Sequence, residues 1–432
     1  MNPEKPLTLT VESLAYGGDG VAHLEDGRAV FVSGAAPGDQ VQAELTLSKK
    51  TYAKARLTKV LTPSPSRVAA PCPVADTCGG CQWQHLSYAA QLEAKQNFVL
   101  ESLRRIGGFE DPPLKHIIAC DQPFQYRNKA IVPAWSGRFG FYGEASHDIV
   151  ELPESGCAVQ SAAGNRVLVF IRSRVKNLPG LRHVVVRSNS RGEVLLALVS
   201  FAALKGLETE AEAWIKALPS LLGVVNNIQP RDNNVIFGPE TRVLAGEENL
   251  EEDLGGFKFR LSAASFFQVN PGQTVRLWEM LAQVRSWTGR EKVLELYCGV
   301  GTLSLSLAKR CARLLGVESF GPAVEDAKKN ALLNACGNAR FEEGDALRGF
   351  ELMKDPDLLV VDPPRKGLDP AVVQAILKQR PPELLYVSCD PASLARDLKA
   401  LAAGGYVLDQ VQPLDMFPQT YHVECLARMR LA

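Results

Sequence analysis

The sequence predicts an α/β protein in which a parallel sheet with helices on both faces follows a small β-domain and a central α+β region. From about residue 274 onward, short continuous apolar runs alternate with helical stretches, as in parallel sheets that are buried on both faces. Residues 1–61 instead show alternating apolar and polar positions between turns. We place the domain boundaries at 1–61, 62–265 and 266–432, which agrees with about two to three domains for this length.

The composition is that of an ordinary globular protein, with 46% hydrophobic residues, 22% charged residues and a formal net charge of zero. Binding to nucleic acid would therefore depend on local basic patches and not on the net charge. No apolar run approaches the roughly 20 residues of a membrane helix, and residues 1–5 contain no apolar signal core. We expect a monomeric, cytoplasmic protein that does not bind a membrane.

The first domain is predicted to be a small barrel of the OB type. Alternating runs at 7–11, 29–32 and 41–45 are separated by glycine-containing turns. Basic side chains and one tyrosine then crowd the last strand region, namely Lys49, Lys50, Tyr52, Lys54, Arg56 and Lys59. This pattern fits either an RNA surface that combines phosphate contacts with base stacking or an edge strand protected by lysines. Composition alone leaves both interpretations open.

A cysteine cluster follows a proline-rich linker at 62–66. Cys72, Cys78 and Cys81 have the spacing C-x5-C-x2-C, and Cys157 could complete a set of four. Four thiolates suit an iron–sulfur cluster or zinc, and the spacing does not separate the two. A helix is expected at about 86–106, ending at a glycine pair. Strands are expected between 120 and 260, with a single helix at about 208–218.

Side chains with binding chemistry follow the apolar runs of the third domain, where ligands bind to parallel sheets. The glycine turn of Gly299 and Gly301 follows the first run, and Glu318 follows the second at the spacing of an acid that binds a ribose. Further candidates at strand ends are Tyr297, Asp345, Asp362 and Cys389. The alternative for the acids is that each one caps the following helix. The order and spacing resemble the class I methyltransferase fold, so S-adenosylmethionine fits better than NAD.

Cys389 is the predicted nucleophile because it ends the fifth strand, where Asp390 and Pro391 can begin a helix whose dipole favours a thiolate. The alternative is an inert buried cysteine. Glu424, in a strand predicted at 422–427, is the predicted general base, with a buried ion pair to an arginine as the alternative. Methylation of uracil at C5 needs both groups: thiolate addition at C6 makes C5 nucleophilic, and a base then removes the C5 proton.

On these residues the chain resembles the RNA uracil-C5 methyltransferases, most closely the branch that methylates 23S ribosomal RNA and contains a [4Fe-4S] cluster. The signatures Asp-Pro-Pro-Arg at 362–365 and Ser-Cys-Asp-Pro at 388–391 are specific as a pair. The resemblance implies a TRAM domain at 1–61, an OB-like RNA-binding barrel, and a class I methyltransferase domain at 266–432. It implies that the cluster ligands are Cys72, Cys78, Cys81 and Cys157, which favours iron–sulfur over zinc.

The resemblance also implies roles for individual side chains. Phe266 is implied to stack on the flipped target base, with Cys389 as nucleophile and Glu424 as base. S-adenosylmethionine contacts are implied for Gln268, Tyr297, Gly299, Gly301, Thr302, Glu318, Asp345 and Asp362. Arg127 and Lys129 are implied to face RNA. The helix near 86–106 is implied to pack on the catalytic domain although it precedes the central one.

Several rival functions remain to be compared with this prediction. A DNA cytosine methyltransferase usually has its cysteine after the fourth strand, where this chain has Asp362 followed by two prolines. A radical methylthiotransferase needs the spacing C-x3-C-x2-C, which the chain lacks. The nearest alternatives keep the chemistry and change the target to transfer RNA or to two ribosomal sites. A non-catalytic RNA-binding protein is the remote alternative, since it would need neither Cys389 nor Glu424.

Overall fold

The computed structural model describes residues 6–432, so the expectations for residues 1–5 lie outside the described chain. The first domain is a six-stranded sheet in the order β1-β5-β6-β4-β3-β2. Its strands are β1 Leu7–Thr10, β2 Ser13–Leu14, β3 Gly20–His23, β4 Ala29–Ser33, β5 Gln40–Ser48 and β6 Tyr52–Thr62. Glu12, just after β1, donates its backbone N–H to Val21 of β3 at 2.8 Å, which brings the two ends of the sheet together. Alternate side chains fill the interior, as the period-two pattern predicts.

The basic strand β6 lies in the middle of this sheet. It pairs with β4 on one side and with β5 on the other. The edge-strand interpretation is therefore wrong, because both backbone edges of β6 are already hydrogen-bonded. Lys54, Arg56 and Lys59 are exposed, and Lys49 and Lys50 lie exposed in the turn before the strand. The basic side chains are thus displayed on the outer face of a central strand.

Helix α1 spans Tyr88–Arg105, close to the predicted bounds. Ser87 caps it by accepting a hydrogen bond from the N–H of Ala90 at 3.4 Å. The inner face buries Val99 and Leu103 in the same core as Leu398 of the C-terminal domain. Ile106, which follows the last residue of the helix, is 40% exposed.

The central domain is a seven-stranded sheet in the order β13-β12-β11-β10-β7-β8-β9, covered by two helices. Its elements are β7 Lys129–Trp135, β8 Arg138–Tyr142, β9 Ile149–Glu151, α2 Ala162–Val175, β10 Leu181–Ser188, β11 Val194–Ser200, α3 Glu208–Ala217, β12 Leu221–Ile228 and β13 Glu240–Gly246. The expectation of a single helix is wrong, since α2 is present as well as α3. The centre of α2 is rich in valine and isoleucine, which favour strands. Ser161 nevertheless caps this helix by accepting a hydrogen bond from the N–H of Gly164.

A hairpin leads into the C-terminal domain, whose sheet has the order β18-β17-β16-β19-β20-β22-β21. The elements are β14 Leu250–Leu254, β15 Phe257–Leu261, α4 Pro271–Gln283, β16 Lys292–Leu296, α5 Thr302–Ala308, β17 Arg313–Glu318, α6 Gly321–Leu333, β18 Ala339–Glu343, α7 Ala346–Leu352, β19 Leu358–Val361, α8 Pro370–Gln379, β20 Glu383–Ser388, α9 Pro391–Ala403, β21 Tyr406–Leu414 and β22 Glu424–Leu431. The predicted parallel strands β16 to β20 are confirmed. Two antiparallel strands, β21 and β22, extend the sheet beyond β20.

Helix α1 packs on α9 of this C-terminal domain, although the whole central domain separates them in sequence. The segment between β21 and β22 is held by the same helix through buried polar contacts that are described below. Among residues 6–432, no helix is long and apolar enough to cross a membrane.

Candidate active site

The turn after β16 presents backbone N–H groups at the carboxyl edge of the sheet. Tyr297 and Gly299 both have positive φ angles, of 66° and 55°. The N–H of Gly299 donates to the carboxylate of Glu318 at 3.2 Å, which joins the ends of β16 and β17. Gly301, with φ of 84°, then begins α5 in a left-handed conformation that glycine adopts without strain. A flat ligand could approach this backbone closely.

The predicted acids have mixed roles. Asp345 caps α7 by accepting a hydrogen bond from the N–H of Arg348 at 3.1 Å, so the capping alternative holds for this residue. Glu318 also accepts from the N–H of Phe320 at 2.9 Å, in addition to its bond with Gly299. Both carboxylates nevertheless lie at neighbouring strand ends, since β17 pairs with β18 up to Glu318 and Glu343. An acid can serve as a cap and still contact a ligand with its free lone pairs.

Two further predicted cofactor residues are buried beside this edge. Thr302 begins α5, and its carbonyl accepts from the indole N–H of Trp278 at 2.9 Å. Gln268 is buried before α4, and its carbonyl accepts from the side-chain amide of Asn128 at 3.1 Å. This second contact ties the segment that precedes α4 to the central domain.

Cys389 and Glu424 meet at the ends of two paired strands. In the antiparallel pair of β20 and β22, Ser388 lies opposite Cys425. The next residue along β20 is Cys389 and the preceding one on β22 is Glu424, so the register places them across from each other. Strand β22 begins at Glu424, two residues later than predicted. Asp390 caps α9 by accepting from the N–H of Ser393 at 2.8 Å, as the sequence predicts.

The pKa of the Cys389 thiol is raised to about 12. Burial is the largest cause and the neighbouring Glu424 carboxylate is the next, whereas the Arg365 guanidinium acts in the opposite direction through charge and hydrogen bonding. The expectation of a lowered pKa is therefore wrong. Burial and a facing carboxylate outweigh the dipole of the helix that follows Cys389. Cys389 therefore rests as a thiol and must lose its proton before it can act as the predicted nucleophile.

Two buried carboxyl groups lie beside the thiol. Burial raises the pKa of Asp362 to about 7. Burial also raises the pKa of Glu424 well above its ordinary value, and the charge of Asp362 adds to this rise. Among the described residues Glu424 has no arginine partner, so the alternative of a buried ion pair is not found. A carboxyl group with a raised pKa is suited to proton transfer near neutral pH.

Arg365 and His422 complete this corner, and neither was predicted as a site residue. The guanidinium Nη2 of Arg365 lies 2.7 Å from Nε2 of His422. Burial, followed by the charge of Arg365, lowers the pKa of His422 to about 3, so the imidazole is neutral and its Nε2 accepts from the guanidinium. The sequence contained the signal for Arg365, since it closes the Asp-Pro-Pro-Arg signature.

The four predicted cluster ligands line one cavity of about 320 Å³. The cysteines Cys72, Cys78, Cys81 and Cys157 are all unpaired. They are close enough that the charge of one raises the pKa of another, after the larger effect of burial. Within residues 6–432, no three His, Cys, Asp or Glu side chains are grouped closely enough to hold a single metal ion. The four cysteines therefore contribute four sulfur donors to one cavity.

Phe266, Arg127 and Lys129 also lie in the wall of this cysteine cavity. Phe266 is 62% exposed and free to contact a ligand. The Nε of Arg127 is buried and has no partner among the described residues. Burial raises the pKa of Cys81 and of Cys157, and the charge of Arg127 opposes that rise. Lys129 donates to the carbonyl of Ser265 at 3.3 Å, and burial lowers its pKa. These contacts set both basic residues toward the cysteines and the segment before α4, which differs from the expected exposed RNA surface.

The segment that leads into Glu424 is fixed by helix α1. The ammonium of Lys95 lies 2.5 Å from the Asp415 carboxylate, and both side chains are fully buried. The second oxygen of Asp415 accepts from the hydroxyl of Tyr88 at 2.7 Å. Gln91 and Gln419 exchange hydrogen bonds at 2.9 and 3.0 Å. No sequence pattern indicated these contacts, because a lysine or glutamine on a helix is usually exposed.

Comparison with known proteins agrees with this geometry. The family model described as tRNA (Uracil-5-)-methyltransferase matches residues 211–430, and the TRAM domain model matches residues 5–58. An uncharacterized RNA methyltransferase of Gloeobacter violaceus is 43% identical, over 98% of this chain and 96% of the relative. A second, of Halalkalibacterium halodurans, is 40% identical over 100% of this chain and 98% of the relative.

A solved structure is similar over the whole length. The Pyrococcus abyssi tRNA (uracil-54, C5)-methyltransferase in complex with S-adenosyl-L-homocysteine has a TM-score of 0.78 and 28% identity, covering 98% of this chain and 100% of that one. The TRAM barrel and the methyltransferase fold predicted from the sequence are thereby confirmed. The chain belongs to the family of S-adenosylmethionine-dependent RNA (uracil-C5)-methyltransferases.

Proposed function

We propose that this chain methylates C5 of a specific uridine in 23S ribosomal RNA. The observation that supports the proposal most directly is the placement of Cys389 opposite Glu424, with Arg365 beside the thiol. In the sheet order, β19 and its end at Asp362 lie between this corner and the strand ends that carry Tyr297 and Glu318. A nucleophile, a base and a cofactor edge are the parts that uracil-C5 methylation requires.

The cofactor edge fits S-adenosylmethionine by its donor and acceptor set. Glu318 would accept from the ribose hydroxyls, and Asp345 would accept from the adenine amino group. Asp362 and Gln268 would hold the methionine part, and the turn at Gly299 and Gly301 would admit it close to the backbone. When bound, this group supplies an electrophilic methyl group.

The protein residues act on the uracil ring. The Cys389 thiolate, favoured by the Arg365 guanidinium, attacks C6 and forms a C–S bond while the ring electrons pass to the C4 oxygen. C5 then takes the methyl group. Glu424 removes the C5 proton, the C5–C6 double bond re-forms and the thiolate leaves C6. Loss of the acquired proton from Glu424 to solvent then restores the carboxylate for the next turnover. The uridine must first leave its stack, and Phe266 would stack on the flipped base.

The four cysteines are proposed to hold a [4Fe-4S] cluster. Their sulfur donors line a single cavity of about 320 Å³. Four thiolates suit an iron–sulfur cluster or zinc, and the resemblance to the cluster-containing branch of the family favours the cluster. Anaerobic purification should yield iron and sulfide with a broad visible absorption, and both should be lost in Cys78→Ser. Stoichiometric zinc without sulfide would overturn this assignment.

Transfer RNA is the second candidate substrate, because the similar Pyrococcus abyssi enzyme is a tRNA (uracil-54, C5)-methyltransferase that covers 98% of this chain. The deciding experiment incubates the protein anaerobically with S-adenosylmethionine and either unmodified 23S ribosomal RNA or unmodified transfer RNA. Nucleoside mass spectrometry then measures 5-methyluridine. We expect it in ribosomal RNA with the wild type and with Cys336→Ala, a buried cysteine away from the site, and not with Cys389→Ala. If 5-methyluridine forms only in transfer RNA, the proposed chemistry stands and the proposed substrate is wrong.

A further inference from the structure

A cleft of about 860 Å³ lies between the TRAM barrel, the cysteine loop and the turn between β8 and β9. We call it the interdomain cleft, and its lining includes Tyr16, Phe31, Tyr52, Lys54, Tyr142 and Tyr421. Its volume lies within the range of about 300–1,000 Å³ that small-molecule sites occupy. It borders the cysteine cavity, with which it shares Gly80 and Phe141, but it includes none of the cysteines and none of the predicted cofactor residues.

Aromatic rings dominate two sides of the interdomain cleft. Phe31 and Tyr52 meet edge to face with ring centroids 5.9 Å apart, and both are only half-buried. Tyr142 faces the cleft from the central domain and is also half-buried. Exposed Lys54 stands at the same side as Tyr52, two residues along β6. Rings with free faces beside a lysine are the elements with which proteins bind unpaired nucleotides.

Acidic groups face the cleft as well and decide which part of a nucleotide can enter. Asp19 and Glu144 both line it. Each oxygen of Glu144 lies 2.9 Å from the hydroxyl of Ser33, which fixes the carboxylate in place. Carboxylates repel a phosphate but accept hydrogen bonds from a base edge. The interior of the cleft therefore suits a nucleobase, with the phosphates left outside near the basic strand.

The interdomain cleft adjoins the catalytic corner through two shared tyrosines. The hydroxyl of Tyr16 donates to Asp390 at 3.0 Å, on the residue next to the nucleophile. The rings of Tyr16 and Tyr421 have centroids 5.2 Å apart, and the ring of Tyr421 lies 4.1 Å from that of His422. The cleft therefore lies next to the residues that flank Cys389 and Glu424.

We propose that the interdomain cleft binds one unpaired nucleobase that neighbours the target uridine in the same RNA strand. This inference rests on the proposed function for the identity of the RNA. Tyr52 and Tyr142 provide the stacking faces, and Tyr16 with Tyr421 forms the boundary between the two base sites. The enzyme then reads two bases in one strand, of which only one is methylated.

The test measures methylation of an RNA fragment that contains the target uridine. Tyr52→Ala and Tyr142→Ala should each raise KM for RNA about tenfold, in line with the removal of one stacking surface, and leave kcat unchanged. Trp135→Ala is the matched control, since this half-exposed aromatic residue lies outside the cleft. An unchanged KM in both tyrosine variants would overturn the proposal.

A second arm identifies the base. Flanking nucleotides of the fragment are replaced one at a time by an abasic nucleotide, and each RNA is assayed with the wild type and Tyr52→Ala. At one position, the abasic replacement should weaken RNA binding strongly for the wild type and only slightly for Tyr52→Ala. The variant no longer has the ring on which that base could stack. The proposal would be contradicted if, at every position, the loss of binding from the abasic nucleotide and the loss from Tyr52→Ala simply added. A wild type that makes no 5-methyluridine would instead reject the proposed function, and binding of the same fragments would still test the cleft.

Discussion

Cys389 and Glu424 are both held in settings that disfavour their charged forms. The thiol has a pKa of about 12 and the pKa of the Glu424 carboxyl is raised well above its usual value. Both groups must lose a proton before they act. The rate of methylation should therefore rise with pH near neutrality, and Arg365 is the neighbouring cation that favours the thiolate.

The first prediction concerns Arg365. A neighbouring cation changes a pKa by about 1–3 units, and Arg365 is exposed, so Arg365→Met should lower kcat about tenfold at neutral pH. The rate of the variant should rise with pH over the same range as the wild-type rate, but from a lower value. The pH profile of single-turnover methylation measures this. Lys366→Met, which removes an exposed cation next in sequence, is the control; an equal loss in both variants would contradict a specific role for Arg365.

The second prediction concerns Glu295, a fully buried acid in β16 whose pKa is raised to about 8, chiefly by burial. The folded chain binds this proton more tightly than the unfolded chain, so protonated Glu295 contributes to the free energy of unfolding. That contribution is complete at pH values below the ordinary pKa of a glutamic acid and is lost as the pH rises through about 8. Glu295→Gln should match the wild type near pH 4.5 and exceed its unfolding free energy increasingly above that, by at most about 1.4 kcal/mol per pH unit. Urea unfolding at several pH values measures the gap. The control is Glu351→Gln, which replaces an exposed acid and should show no such gap at any pH.

Residue types were predictable from the sequence, whereas their protonation was not. The signatures around Asp362 and Cys389 identify candidates because chemistry needs those side chains at strand ends. The direction of the Cys389 pKa depends on Glu424, which follows it by 35 residues and is brought opposite by strand pairing. Sequence spacing shows only the local helix dipole, and so it gave the wrong sign.

At the scale of elements, helix α1 and the segment between β21 and β22 form one buried polar unit. Lys95, Tyr88 and Gln91 on the helix hold Asp415 and Gln419 on the segment. The indole of Trp83, just before the helix, also donates to the carbonyl of Gly18 in the TRAM barrel at 3.0 Å. The segment ends at Glu424, so its position fixes Glu424 relative to Cys389.

The third prediction tests this unit. Lys95→Met leaves the buried Asp415 carboxylate without its cation and should lower the free energy of unfolding by about 3–5 kcal/mol. The double variant Lys95→Met with Asp415→Asn should recover much of that loss, since neither member is then charged. Urea unfolding of both measures the effect. Arg104→Met, on the exposed face of the same helix, should stay close to the wild type; a comparable loss there would argue against the pair.

Most elements were predictable because their periodicity was clear. The parallel strands β16 to β20 are continuous apolar runs, and the barrel strands alternate. Helix α2 was missed because its run of valine, leucine, phenylalanine and isoleucine has the local preference of a strand. Packing against β10 and β11 decides its conformation, and such contacts are not visible in a window of sequence.

At the scale of the whole molecule, the exposed basic face of β6 and the interdomain cleft lie on the same barrel. Lys54 belongs to both, because it lines the cleft and is exposed on the strand. The phosphates of a bound strand would follow the lysines while its bases turn toward the cleft and the catalytic corner. The contacts that create this arrangement, such as Tyr16 with Asp390, span 374 positions of sequence and could not be predicted from it.

The fourth prediction concerns salt dependence. Replacing two exposed lysines of the barrel, Lys50→Ala with Lys59→Ala, should weaken RNA binding and reduce the slope of log affinity against log salt by about 1.4, or about 0.7 for each phosphate that is no longer neutralised. Fluorescence anisotropy at several salt concentrations measures the slope. Lys354→Ala with Lys378→Ala removes the same charge from the C-terminal domain. An identical slope in the barrel variant and the wild type would show that these lysines do not contact phosphates.

The pairing of Lys95 with Asp415 also affects how the chain matures during synthesis. The two residues are 320 positions apart. At about 5–20 residues per second, a ribosome needs roughly 16–64 seconds to make the acid after the lysine. During that interval Val99 and Leu103 of α1 lack the C-terminal residues against which they pack. Nascent chains should therefore depend on protection of this helix face until Asp415 has been made, and release before that point should produce aggregation-prone fragments.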